Sequence, residues 1–162
     1  MKMPDYKIVD IDTAIEWRKQ LAEKNKKLVI TNGCFDILHK GHIHYLFEAR
    51  AQGDALLLLI NSDSSIQELK GKSRPIIQEE SRTYLLAALE CVDRIVVFPN
   101  ARATEEFRQL SPDIYVKGGD YTEETLDKKE YTALKKTGCD FIFIPFLQGF
   151  STTKILEKIK NN

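Results

Sequence analysis

Two histidines three residues apart, His39 and His42, lie in the most informative segment of this sequence, TNGCFDILHKGH at 31–42. An apolar run precedes the segment and a helical pattern follows it, so we predict a strand that leads directly into a helix N-terminus. The free N–H groups of such a terminus bind phosphate, and Gly41 lets a phosphate approach the turn closely. Histidines placed there can donate hydrogen bonds to a transferring phosphate and its leaving group, which is the chemistry of phosphoryl or nucleotidyl transfer.

Further clusters of polar residues directly follow other predicted strands. These clusters contain cationic, amide and hydroxyl side chains and glycine turns, all of which can bind phosphate. The carboxyl ends of parallel strands meet at one edge of a sheet, where ligands bind near the switch in strand order. We therefore expect one phosphate-binding rim. Its remaining candidate residues are Asn61, Asp63, Lys70, Lys72, Arg74, Lys117, Gly118, Asp120, Ser151, Thr152 and Thr153.

Several of these residues have plainer interpretations. Asn61 and Asp63 are equally well explained as caps of the following helix. Asp36 is expected to hold its loop, and His44 faces elsewhere on the helix because it lies two residues past His42. A zinc site is disfavoured because no further cysteine or acidic ligands have suitable spacing. We interpret the charged run at 127–130 as a solvated helix face.

The alternation of apolar and amphipathic segments predicts an α/β fold, a Rossmann-like doubly wound, five-stranded parallel sheet with helices on both faces. Residues 1–162 are expected to form a single domain, with 1–27 as an N-terminal helical extension packed on it. Asp12 is the predicted cap of that extension. Strands are predicted at 28–31, 55–60, 94–98, 114–116 and 141–144. Helices are predicted at about 41–52, 64–69, 78–91 and 104–110, within 122–136, and from 151 onward, with Leu85, Leu86 and Leu89 facing inward.

Composition narrows the functional class. The formal net charge is zero, which argues against broad electrostatic binding to nucleic acid or membrane. The longest apolar runs are too short to span a bilayer, and the N-terminus lacks a signal-peptide pattern, so we expect a cytoplasmic protein. The P-loop, G-x-G-x-x-G and G-x-S-x-G motifs do not occur in the sequence.

The segment GCFDILHKGH at 33–42 resembles the opening of the cytidylyltransferase-like nucleotidyltransferase superfamily, with its H-x-G-H signature. The segment GFSTTK at 149–154 resembles the second superfamily motif, a serine- and threonine-rich helix start that contacts nucleotide phosphates. Within the superfamily, three further segments are similar to the ADP-heptose synthase adenylyltransferase domain, and the resemblance covers about 28–159. These segments are TNGCFD at 31–36, LKG at 69–71 with RP at 74–75, and VKGGDY at 116–121.

This resemblance implies transfer of AMP from ATP to D-glycero-β-D-manno-heptose 1-phosphate, giving ADP-heptose and pyrophosphate. It implies catalytic roles for His39, His42 and Lys70. The nucleotide-binding residues that it implies are Asn32, Gly33, Cys34, Phe35, Gly41, Lys117, Gly118, Ser151, Thr152 and Thr153. The implied substrate- or phosphate-binding residues are Asn61, Asp63, Arg74 and Asp120.

The resemblance also implies that Mg²⁺ accompanies ATP, that a separate heptose kinase supplies the sugar 1-phosphate, and that the protein forms a homodimer. Many relatives carry an acidic residue and a cysteine where this sequence has Gln148 and Phe150, so the base contacts and the choice of nucleotide stay open. Two alternative functions are a cytidylyltransferase acting on glycerol 3-phosphate or another alcohol phosphate, and a non-catalytic nucleotide-binding module.

Overall fold

The computed structural model describes residues 2–145 and 147–161, and its strands form one parallel sheet. The strands are β1 (Leu28–Gly33), β2 (Ala55–Asn61), β3 (Arg94–Phe98), β4 (Ile114–Gly118) and β5 (Asp140–Ile144). Their order is β3-β2-β1-β4-β5. The predicted fold class, a doubly wound sheet of five parallel strands, is confirmed.

Helices connect the strands and cover the sheet. They are α1 (Ile11–Glu23), α2 (Lys40–Arg50), α3 (Asp63–Lys70), α4 (Glu79–Ala87), α5 (Thr104–Leu110), α6 (Lys128–Lys136) and α7 (Thr152–Lys160), after a 3-10 turn at Pro4–Lys7. No helix within the described ranges is long and apolar enough to cross a lipid bilayer.

Two helix boundaries differ from the prediction. Helix α1 is capped by Asp10, whose Oδ1 accepts the amide of Thr13 at 2.8 Å, and not by Asp12. Helix α4 ends at Ala87 and not at 91, because Leu89 N donates to Leu86 O in a tighter turn. The chain that follows this turn places Val92 in the core. Leu85, which was predicted to face inward, is exposed.

The core lies on both faces of the sheet, and all residues of β2 are buried. One face packs against α1, α5 and α6 through Leu21, Phe107 and Leu134, and the other packs against α2 and α4 through Leu46 and Leu86. A strand covered on both sides has no polar face, which explains why β2 is apolar without alternation.

The connections from β1 run outward through β2 to β3, whereas β4 and β5 extend the sheet on the other side of β1. Strand order therefore reverses between β1 and β4, and a doubly wound sheet opens a crevice at the carboxyl ends of such a pair. Segment 4–23 packs against the same body, since Val9 N donates to Ile95 O at 2.9 Å and Arg18 pairs with Asp113 at 3.1 Å.

Candidate active site

A cleft of about 670 Å³ opens at the point where strand order reverses. It collects residues from the β1–α2 loop, the end of β2, the end of β4 and the start of α7. The predicted site residues that line it are Asn32, Gly33, Cys34, Phe35, His39, Gly41, His42, Asn61, Lys70, Arg74, Lys117, Gly118, Ser151 and Thr152. The structure thus brings these residues together, while their binding and catalytic roles stay predictions.

Four residues that were predicted to belong to the rim do not line the cleft: Asp63, Lys72, Asp120 and Thr153. Asp63 instead faces the buried guanidinium of Arg82, at 2.7 Å from Nη2, and it accepts the amide of Glu79 at 3.1 Å. Its carboxylate therefore links α3 to α4. Ser62, and neither Asn61 nor Asp63, provides the side-chain cap of α3.

The two histidines form a stacked pair at the start of α2. Their ring centroids lie 3.8 Å apart with an interplanar angle of 19°, and the ring of Phe35 lies 5.4 Å from that of His42. Phe35 adopts a left-handed backbone conformation, with φ of 45°, and its side chain is buried. This uncommon conformation at a non-glycine residue places an apolar ring against one histidine.

Burial keeps the histidine pair uncharged at neutral pH. It lowers the pKa of His42 to about 4, with the neighbouring charges of His39 and Lys70 acting in the same direction, and it also lowers the pKa of His39. Within the described residues, Nδ1 of each ring is buried without a hydrogen-bond partner. A neutral imidazole carries one N–H donor, so each ring can offer one donor to an anion in the cleft.

Asp36 joins the histidine loop to the segment after α3. Its buried carboxylate pairs with Arg74 Nε at 2.6 Å and accepts the amides of Ile76 and Ile77 at 2.9 Å. Burial raises the pKa of Asp36, but the two amides and the Arg74 guanidinium outweigh it and hold that pKa below its usual value. Asp36 therefore holds a loop, as expected, and that loop carries Arg74.

Arg82, a residue that sequence analysis did not single out, lies fully buried beneath the cleft. Its guanidinium donates to Cys34 O at 2.6 Å, to Asn61 O at 3.0 Å and to Asp63 Oδ1 at 2.7 Å. One side chain thus fixes the backbone that follows β1 and the end of β2. Arg82 lies one helical turn before the buried Leu86, and this spacing was the available signal for its burial.

Lys117 reaches the cleft through a buried polar network. Its Nζ donates to Asn32 Oδ1 at 2.7 Å, and the hydroxyl of Tyr115 donates to the same oxygen at 2.8 Å. Asn32 Nδ2 in turn donates to Glu130 Oε1 at 3.3 Å. The prediction of a solvated face at 127–130 was wrong for Glu130. Its side chain is buried because Glu130 lies on the same side of α6 as the buried Ala133 and Leu134.

At the cleft, neighbouring side chains lie so close to Gly41 and Gly118 that a Cβ atom at either position would crowd them. A Cβ on Gly41 would lie 3.0 Å from His39 Nδ1 and 3.2 Å from Phe150 Cβ, so any side chain there would disturb the histidine pair. A Cβ on Gly118 would lie 2.9 Å from Tyr45, whose hydroxyl donates to Val116 O at 3.0 Å.

The start of α7 borders the cleft next to the histidine loop, where Phe150 approaches Gly41. Ser151 caps the helix by accepting the amide of Lys154 at 3.2 Å, and Thr152 is the first helical residue. Phe150 is exposed and lies 5.6 Å from the Lys40 ammonium group. Free amides and hydroxyls at this helix start suit a phosphate group.

Acidic side chains at the cleft already have partners. Asp127 accepts from Arg102 at 3.1 Å and caps α6, while Asp36 and Glu130 are engaged as described above. Among the residues that the structure describes, no cluster of three or more histidine, cysteine or acidic side chains is arranged around a common metal position.

Residues 30–158 match the family described as Cytidylyltransferase-like. The chain belongs to this family. The match spans both motif segments, most of β1 and the other four strands of the sheet, so a member of a nucleotidyltransferase family carries the cleft described above.

Among curated proteins, the chain is 45% identical over 158 residues to the bifunctional protein HldE of Syntrophotalea carbinolica, covering 93% of this chain and 32% of that protein. It is 47% identical over 148 residues to the bifunctional protein HldE of Helicobacter acinonychis, covering 91% and 31%. The chain therefore spans about a third of the length of these relatives.

Among solved structures, the lipopolysaccharide core biosynthesis protein of Thermoplasma volcanium is 32% identical, with a TM-score of 0.60 over 75% of this chain and 97% of that chain. The pantoate-beta-alanine ligase of Francisella tularensis, solved in complex with beta-gamma ATP and beta-alanine, has a TM-score of 0.59 over 96% of this chain and 78% of that chain. At 16% identity, the ligase shows the shared fold alone.

Proposed function

We propose that this protein transfers AMP from ATP to D-glycero-β-D-manno-heptose 1-phosphate, giving ADP-heptose and pyrophosphate. One observation carries the proposal: the histidine pair, Lys117 and the start of α7 face one cleft in a member of a nucleotidyltransferase family. The identity to bifunctional HldE proteins and the three segments similar to the ADP-heptose synthase adenylyltransferase domain support the choice of nucleotide and sugar.

The reaction needs little covalent chemistry from the protein. A sugar phosphate is already an anion and can attack the α-phosphate of ATP in line, so no general base is required. The bond to pyrophosphate breaks as the new phosphate bond forms. Rate enhancement then comes from positioning and from donors aimed at the charge that develops on the phosphate oxygens.

The uncharged histidines suit this task before substrate enters. Each can give one N–H donor to the α-phosphate or to the departing pyrophosphate, and the approaching negative charge favours their protonated forms. Lys117 offers an ammonium group from the floor of the cleft, while the start of α7 offers amides and hydroxyls to the outer phosphates. Lys70 at the end of α3 and Arg74 from the segment held by Asp36 face the same space.

Mg²⁺ is part of this proposal as a companion of ATP. The cleft carboxylates are engaged by arginines and amides, so the ion would be held by phosphate oxygens and water, as Mg²⁺ commonly is. Bound in this way, the ion would neutralise part of the triphosphate charge.

Pyrophosphate release tests the proposal. Purified protein is incubated with ATP or CTP, each with heptose 1-phosphate, glycerol 3-phosphate or no acceptor. We expect release with ATP and heptose 1-phosphate only. Release with CTP and glycerol 3-phosphate would replace the proposal by the cytidylyltransferase alternative, which the family's description favours. No release with any pair, together with ATP binding, would support a non-catalytic nucleotide-binding module.

A further inference from the structure

Glu130 on α6 and Lys117 on β4 are joined through the side chain of Asn32 on β1. The amide oxygen of Asn32 accepts from the Lys117 ammonium at 2.7 Å, and its nitrogen donates to Glu130 Oε1 at 3.3 Å. The backbone oxygen of Asn32 also accepts from Lys117, at 3.3 Å. A cation and a carboxylate are therefore connected across one neutral amide inside the protein.

The chemistry of the partners fixes the direction of these bonds. A lysine ammonium can only donate, so the amide oxygen of Asn32 must face Lys117. The amide nitrogen then faces Glu130, whose carboxylate also accepts the amide of Ala103 at 2.9 Å. Glu130 is 6% exposed, so these two donors replace the water molecules that would otherwise solvate its carboxylate.

We propose that Glu130 is a positioning residue that orients the Asn32 amide and, through it, holds the Lys117 ammonium group charged in the nucleotide cleft. Glu130 does not itself contact the substrate. The proposal rests on the proposed function only for the ligand that Lys117 meets, a nucleotide phosphate.

The charges around Lys117 support this role. Burial lowers the pKa of Lys117, while the charge of Glu130 raises it. The other charged or titratable groups that face Lys117 are Cys34 from the β1–α2 loop, Arg102 from the β3–α5 loop, Tyr115 on β4 and Tyr121 after β4. Arg102 disfavours the ammonium form and Cys34 favours it.

Removing the carboxylate charge should therefore make Lys117 lose its proton at a lower pH. Glu130→Gln preserves shape and an oxygen that can accept from Asn32 and Ala103, so it removes charge while keeping the hydrogen bonds. We expect the titration midpoint of Lys117 to fall by roughly one pH unit or more.

The test is a pH titration by NMR of protein labelled with ¹³C at the lysine ε-carbons, with the Lys117 signal identified by its loss in Lys117→Arg. A lower midpoint in Glu130→Gln than in wild type is the expected result, and coincident midpoints would overturn the proposal. Glu105→Gln is the control: Glu105 is an exposed carboxylate on α5 that pairs with Arg108, and removing its charge should leave the Lys117 midpoint in place.

Glu130→Asp covers the case in which Glu130→Gln does not fold. It keeps the charge but withdraws the carboxylate by one methylene group, so we expect a smaller downward shift of the Lys117 midpoint. An unchanged or higher midpoint in folded Glu130→Asp would contradict the proposal.

Kinetics then separate this inference from the proposed function. In Glu130→Gln, the alkaline limb of kcat/KM for pyrophosphate release should move to lower pH together with the NMR midpoint. In a Lys117→Arg background, Glu130→Gln should leave the alkaline limb unmoved, since arginine stays protonated. A shifted midpoint in a protein that releases no pyrophosphate would sustain the Glu130 role and refute the proposed function.

Discussion

At the histidines, the β1–α2 loop and the end of β2 are tied to fully or nearly fully buried charged groups, Arg82 and Asp36. By contrast, α7 contributes no buried residue, and the segment 148–150 before it is exposed. The histidine side is therefore preorganised, whereas the α7 side can adjust without disturbing the core. Such a division suits an enzyme that must hold its reacting centre rigid and still admit and release a triphosphate.

The strongest challenge to this contrast is the removal of Arg82. Arg82→Met should lower the free energy of unfolding by about 3–5 kcal/mol, because Asp63 and two backbone oxygens lose a buried partner. Urea denaturation measures the loss. Arg108→Met is the control, since Arg108 pairs with Glu105 on the surface, and it should leave the unfolding free energy unchanged. Equal losses of unfolding free energy in Arg82→Met and Arg108→Met would show that Arg82 does not stabilise the histidine side.

The preorganised histidines should control turnover more than folding. His39→Ala and His42→Ala are each expected to lower kcat by about 100- to 1000-fold, the usual effect of losing one donor to a transition-state oxyanion. Steady-state pyrophosphate release gives kcat, and circular dichroism checks the fold. His44→Ala, on the exposed face of α2, serves as the control and should retain wild-type kcat. Near-normal turnover in both test variants would refute the role of the histidine pair.

Burial of His42 should also appear as a pH dependence of stability. The unfolded chain binds a proton on this imidazole near pH 6.5, whereas the folded protein does so only near pH 4. The contribution of His42 to the free energy of unfolding is therefore fully present above about pH 6.5. It is lost as the pH falls towards 4, and the loss amounts to about 3 kcal/mol. Urea denaturation across this range should show the loss in wild type.

His42→Asn should reduce that pH dependence without abolishing it, because burial also lowers the pKa of His39 and its contribution is lost in the same direction on acidification. Asp36 does not interfere, because its pKa lies below the ordinary carboxyl value and its contribution is lost only at lower pH. The same slope of unfolding free energy against pH in His42→Asn and wild type would show that another group is responsible.

The smallest effect is expected at the α7 side, where two matched helix caps sharpen the comparison. Ser62 and Ser151 each accept a backbone amide at 3.2 Å, but α3 carries the buried Ile66 while α7 has no buried residue. Ser62→Ala should cost about 1 kcal/mol of unfolding free energy, and Ser151→Ala less than about 0.5 kcal/mol.

Ser151→Ala should instead raise the KM for ATP several-fold, since the start of α7 faces the cleft. Urea denaturation and pyrophosphate kinetics on the same two variants provide both numbers. A larger stability loss in Ser151→Ala than in Ser62→Ala would mean that α7 is anchored as firmly as the histidine side.

The sheet could be predicted from the sequence because its strands are apolar runs, and β2 and β3 were placed to within one residue. Most cleft residues could be placed because they directly follow strands whose ends must share one edge. That argument depends only on local pattern and on the rules of parallel sheets. The argument wrongly placed Asp63 at the cleft, because its carboxylate pairs with Arg82, which lies on another helix.

Arg82 and Glu130 could not be placed in the same way. Charged residues are solvated by default, and a single sequence does not reveal partners such as Asn32 and Glu130, which are 98 positions apart. Helical spacing relative to Leu86 and Leu134 indicated their buried faces. It could not show which oxygens or amides they meet, because that depends on how the finished strands are aligned.

The central position of β1 has a consequence for biosynthesis. Val29 and Ile30 pair with Ile114 and Tyr115, and Asp113 accepts the amide of Leu28 at 2.7 Å. Until the ribosome has delivered β4, one edge of this apolar strand stays open, and an unpaired edge of that kind recruits other strands. The partner that covers this edge of β1 is therefore synthesised more than 80 residues after β1 itself.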